Sequence, residues 1–288
     1  MTIKIESLSE QANDDPLLLL DYGGSGTGKT HFAGTFGSRS LIINLTHGLK
    51  TLRSPKFTNT YGNINPIVAT IVEGNDLSRQ PPTVIDQIND TIDEMLNTRG
   101  DEFDTIIIDD CLNLRVNAMR MALQVNHDLD KSKSLLSTRK YGFFTVAVQD
   151  YGQEMAIIEW FFRELIETCK TRKKNLVVLA HERIEHGKAP SIGAQQPIIQ
   201  IRPMFTGVNT DIGAMFDYVW YMTAEGSGDQ MKVIARTVQT DTIEAKTRDG
   251  GLFPERYFNP NWPEMKNALD YFKTTGKLPD HKTFFKRN

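Results

Sequence analysis

The chain is 288 residues long, 39% hydrophobic and 24% charged, with a net charge of −3 at neutral pH. These values describe an ordinary globular protein, and they exclude a helical membrane protein, because no apolar stretch reaches spanning length and residues 1–10 carry no signal-peptide pattern. Two cysteines, Cys111 and Cys169, give neither a disulfide framework nor a metal-ligand spacing; their apolar surroundings predict buried thiols and a cytoplasmic protein.

Residues 1–15 are polar and acidic and read as a loose lead-in. The run Leu17-Leu18-Leu19-Leu20 predicts a buried strand over 17–22. It is followed by Gly23-Gly24-Ser25-Gly26-Thr27-Gly28-Lys29-Thr30, a complete G-x-x-x-x-G-K-T loop, and then by His31-Phe32-Ala33, which opens a helix. Glycines let the backbone turn its N–H groups inward onto phosphate oxygens, and the helix N-terminus adds partial positive charge. Lys29 is then expected on the β- and γ-phosphates, and the Thr30 hydroxyl on Mg²⁺, with residues 23–31 forming the nucleotide cradle. The chemistry implied is binding of a nucleoside triphosphate, ATP, with Mg²⁺.

Further along, 40–45 and 66–72 predict second and third buried strands. Pro82 opens a helix with Ile85, Ile88, Ile92 and Leu96 at helical spacing, closed by Gly100. Thr105-Ile106-Ile107-Ile108-Asp109 is an apolar strand ending in a carboxylate; a helix to about 127 and a polar stretch over 128–141 follow. Residues 153–171 form a helix with Ile158, Phe161, Phe162, Leu165 and Cys169 on its apolar face, and 176–180 another buried strand. A Gly- and Pro-containing loop is expected over 182–210, a hairpin from 216–222 and 231–237, and a packing helix over 262–272. Strands alternating with helices, then a hairpin, predict a mostly parallel α/β sheet with helices on both faces and an antiparallel edge.

In open parallel sheets, ligands sit at the carboxyl ends of strands, so Asp109 is expected to face the phosphate loop and hold the Mg²⁺ shell. Asp110 has two readings. A second carboxylate can orient an attacking water, or it can cap the helix beginning Cys111-Leu112-Asn113.

The order of parts across residues 16–255 resembles the RecA-like ATPases, and within them the phage-encoded nucleotide-binding proteins that include single-strand annealing recombinases. It rests on the loop at 23–30, the strand 41–45 running into Thr46-His47-Gly48, the strand ending at Asp109-Asp110, the strand 176–181 with its following loop, and Ala245-Lys246-Thr247-Arg248-Asp249-Gly250. The resemblance implies a RecA-like P-loop core over 1–255, with a basic helical appendage over 256–288. It implies that His181 senses the γ-phosphate, and that Lys246 and Arg248 project into a neighbouring subunit's nucleotide, which requires a ring or filament of copies. Where RecA-like enzymes carry a water-activating glutamate, this chain has Thr46, which is no base at neutral pH; Asp110, His47 or Glu73 then takes that role, or turnover is slow.

The same resemblance turns two loops toward single-stranded DNA. One holds Lys131, Lys133, Arg139 and Lys140 beside Phe143 and Phe144, the other Arg183, Lys188 and Arg202. Basic residues interleaved with aromatics suit single strands, neutralising phosphates and stacking bases. The leading expectation is an ATP-hydrolysing protein acting on single-stranded DNA in recombination or replication, alongside a single-strand-binding or replication partner. A nucleotide-gated assembly or adaptor protein is the alternative. A nucleotide kinase is disfavoured by the lack of an arginine-rich lid, and a GTPase by the lack of an Asn-Lys-x-Asp signature.

Overall fold

The computed structural model describes residues 15–46, 48–71, 84–129, 148–187, 198–204, 212–226 and 231–285. Its centre is a sheet built on β1 (Leu18–Gly23), whose six residues are all buried, as an apolar run flanked by parallel neighbours requires. The other parallel members are β2 (Ser40–Asn44), β3 (Ile67–Thr70), β4 (Thr105–Asp109), β5 (Asn175–Gly187) and β7 (Tyr218–Glu225). Antiparallel β8 (Lys232–Arg236) and β10 (Arg256–Phe258) extend one edge, giving the order β10-β8-β7-β1-β5-β4-β2-β3. Two short additions, β6 (Ile198–Pro203) on β5 and β9 (Lys246–Thr247) on β7, complete it. This is the mostly parallel α/β sheet with an antiparallel edge that the strand–helix alternation predicts.

Side chains alternate along each strand, so β1 feeds two cores. Leu18, Leu20 and Tyr22 face α3 (Val84–Arg99), α4 (Cys111–Leu129) and α5 (Val148–Thr171), burying Ile88, Leu114, Phe161 and Phe162. Leu17 and Leu19 face α1 (Lys29–Gly34), α2 (Pro55–Tyr61) and α6 (Trp262–Thr275), burying Phe32, Phe57, Met265 and Ala268. Cys111 and Cys169 are buried free thiols on the first of these faces. The Trp262 amide donates to the Thr35 hydroxyl at 2.8 Å, and its ring stacks on Phe36 at 4.6 Å, fixing α6 beside the end of α1.

Three elements differ from the sequence reading. The third strand is an edge, with Val68 44% exposed: among the described residues, β2 alone pairs with it. The helix read from 153 begins at Val148. Most consequentially, the segment after 181 is not a loop at its start: β5 continues to Gly187 and pairs antiparallel with β6, from Glu182–Pro203 through Gly187–Ile198. Local composition there is polar and uninformative, and the pairing partner lies elsewhere in the chain.

Candidate functional site

The phosphate loop leaves the end of β1 and turns into α1 through two left-handed glycines, Gly26 and Gly28, with φ of 78° and 92°. Gly28 is required twice over, since a Cβ there would lie 2.6 Å from the Val233 side chain of β8. Gly23 is pressed onto β7: a Cβ would lie 2.3 Å from the Met222 carbonyl oxygen. The loop is therefore clamped between β5 and the antiparallel edge before any ligand arrives. It opens on a cavity of about 660 Å³ that also holds Asp109, Asp110, His181, Thr46, Tyr61 and Pro260.

Lys29 is only 8% exposed, and its ammonium donates to the carbonyls of Gly23 at 2.8 Å and Gly24 at 2.7 Å. Burial pushes its pKa down, while Asp21, Asp110, Asp109 and Glu182 push it up. The Thr30 hydroxyl donates to Asp109 Oδ2 at 3.1 Å, joining the start of α1 to the end of β4. Burial is the main cause that pushes the Asp109 carboxyl up to about 6, against the Thr30 hydrogen bond and Lys29.

Asp110 caps α4, one of its two readings, and also holds a histidine that the sequence did not pair with it. Its Oδ1 accepts from the Leu112 amide at 2.9 Å, capping α4, and its Oδ2 lies 3.0 Å from His181 Nε2 at the end of the parallel part of β5. The Asp109–Asp110 peptide bond is cis. His31, in the first turn of α1, lies edge-on to Phe57 and Tyr61 at 5.2 and 5.6 Å between ring centres. Burial, with Lys56 nearby, holds its pKa below the ordinary value.

The fold thus brings residues 23–31, Asp109, Asp110 and His181 together, and Thr46 lines the same cavity. Lys246 and Arg248 lie at the other end of the sheet, beside Val219 and Asp217, whereas Met222 of the same strand adjoins Gly23. Lys246 Nζ donates to the carbonyls of Ala214 and Phe216, and Arg248 pairs with Asp217 at 2.7 Å. Arg183 and Arg202 face one another across the β5–β6 ribbon and pair with Glu185 and Glu244 at 3.3 and 3.4 Å. Lys131, Lys133, Arg139, Lys140, Lys188, His47, Glu73, Phe143 and Phe144 lie outside the described residues.

Two residues escaped the sequence reading. Glu182, the first residue of the ribbon, lies against Gly24 and accepts from the Tyr221 hydroxyl at 2.8 Å. Asp21 sits fully buried in β1, two residues ahead of the loop. Its signal was present as a lone carboxylate on the same face as Leu17 and Leu19.

No helix among the described residues is long and apolar enough to cross a membrane. The profile of a protein family described as an AAA domain matches residues 16–248, from the lead-in to β1 through β9. No curated protein matches the chain. A clamped phosphate loop, a carboxylate at the neighbouring strand end, and a family match over most of the chain agree: the protein belongs to the AAA-domain family of P-loop ATPases.

Proposed function

We propose that the protein is a Mg²⁺-dependent ATPase that acts on single-stranded DNA in recombination or replication, as an oligomer. The observation that carries the nucleotide half is the 3.1 Å contact between the Thr30 hydroxyl and Asp109. Mg²⁺ takes oxygen ligands, only one or two of them from protein when phosphates and waters supply the rest, and this pair fits that demand. Bound there, the ion would neutralise charge on the β- and γ-phosphate oxygens. Lys29 has to leave the carbonyls of Gly23 and Gly24 to reach the same phosphates. His181, its Nε2 fixed by Asp110, stands where β5 leaves the parallel sheet, between the loop and Asp109, and reads the γ-phosphate. Tyr61 and Pro260, which line the same cavity, offer apolar surface for the nucleoside.

The DNA half is supported by the RecA-like order of motifs and by continuity: the strand that ends the site at His181 runs on without a break into the ribbon bearing Arg183 and Arg202. Ile184 and Ile199 are 55% and 44% exposed on the face of the ribbon opposite the Arg183–Arg202 pair. Nucleotide state read at His181 then reaches the ribbon along one strand. The oligomer, with Arg248 completing a neighbour's site, follows from the resemblance. Mixing Arg248→Ala with Lys29→Ala chains tests it: co-assembled mutants recover activity if the arginine acts in trans.

A second reading, a nucleotide-gated assembly or adaptor protein with negligible turnover, is favoured by Thr46, a hydroxyl lining the cavity where a water-activating glutamate is expected. ATP turnover with and without single-stranded DNA, against Lys29→Ala, separates the two. DNA-stimulated turnover lost in the variant supports the first, and binding without turnover supports the second. Phosphorylation of a nucleoside sinks both.

A further inference from the structure

Asp21 lies in the middle of β1 with no exposed surface, and neither carboxylate oxygen has a hydrogen-bond partner among the described residues. Its register neighbours are Leu179 of β5 and Trp220 of β7, and the Trp220 indole N–H is likewise buried and unpartnered. The cation acting on it comes from α1: Lys29, itself almost wholly buried, whose ammonium donates to the carbonyl of Gly23, two residues further along β1. Lys29 is faced in turn by Asp109 and Asp110 from β4 and by Glu182 from β5. An ionised carboxylate without hydrogen bonds in an apolar interior is so disfavoured that it either keeps a cation close or takes up a proton.

We propose that Asp21 is the buried counter-charge that positions Lys29, and that the protein takes up a proton at Asp21 when Lys29 turns to the phosphates of a nucleotide. This rests on the nucleotide-binding reading of the same site. Without nucleotide, the lysine's charge supports the ionised form of Asp21, while burial pushes that carboxyl well above its ordinary range. A bound triphosphate draws the ammonium onto itself and adds negative charge at the loop two residues beyond the carboxylate. Both changes favour the acid, so a solvent proton passes to a carboxylate oxygen and no other bond is made or broken.

The sign of the linkage follows. Asp21 has a higher pKa in the nucleotide complex than in the free protein, so binding is strongest below both values. Affinity falls as pH rises between them, by up to about tenfold per pH unit for one proton. A purely structural Asp21 has no such slope.

Isothermal titration with a Mg²⁺-complexed, non-hydrolysable ATP analogue, repeated in buffers of different ionisation enthalpy, counts the protons taken up. Wild type is expected to take up more than Asp21→Asn, by up to one proton, and the variant to lose the matching pH dependence of its affinity. Equal uptake in both overturns the inference and leaves nucleotide binding standing; no binding by wild type sinks that reading and this inference together. If Asp21→Asn does not fold, the infrared difference spectrum of wild type on adding the same analogue decides. A new protonated-carboxyl band is expected, and its absence overturns the proposal.

Discussion

Asp110 and His181 meet at 3.0 Å although they lie 71 positions apart, and their contact ties the end of β4 to the point where β5 leaves the parallel sheet, directly beside the phosphate loop. One carboxylate oxygen holds the imidazole and the other caps α4. The histidine is thereby fixed in tautomer and direction without a separate supporting residue.

That division of labour gives a first prediction. Asp110→Asn keeps an oxygen for the Leu112 cap, so unfolding free energy should change by less than about 1 kcal/mol. ATP turnover should fall by about tenfold to a hundredfold, and His181→Ala should do the same without loss of nucleotide affinity. Denaturant melts alongside turnover and binding assays check this; a large loss of stability with normal turnover would contradict it.

Asp109 predicts a pH effect on the nucleotide-free, metal-free protein. Its folded pKa of about 6 lies above the unfolded value of 3.8, so the acid form favours folding. Its contribution is fully present below 3.8 and is lost as pH rises through about 6. Asp109→Asn should therefore be more stable than wild type above pH 6, by about 3 kcal/mol at most, and the gap should close toward pH 4. Urea unfolding of both proteins across that range measures the gap.

Gly28→Ala should destabilise the protein by about 1–3 kcal/mol, because a left-handed φ and a clash with Val233 act together. Adding Val233→Ala should relieve the clash and leave the backbone strain, so the double variant should be less impaired than the sum of its parts. A double-mutant cycle from equilibrium unfolding reads this directly.

Tyr22 anchors the ribbon to the sheet. Its hydroxyl, wholly buried at the end of β1, bridges the carbonyls of Ile201 and Glu244 at 3.1 and 2.5 Å. Tyr22→Phe leaves the Glu244 carbonyl without that donor, while the Ile201 carbonyl keeps the Glu244 amide, and should cost about 1 kcal/mol. Hydrogen exchange should show faster opening around 198–204 while α3 and α4 keep their protection.

Contiguous stretches of the chain were enough for the phosphate loop, the strand ending in Asp109, the amphipathic helices and the parallel sheet, because each is written in local spacing or in a motif whose spacing is its chemistry. Thr46 was equally legible as a missing base. Three features were decided only by the tertiary structure, since each depends on which distant segment lies alongside. The second half of β5 is a strand because β6 pairs with it, and Asp110 acquires its second partner because β4 and β5 are neighbours. Asp21 is an ordinary carboxylate in the sequence; two packed faces and a buried lysine make it a charge that has to be balanced.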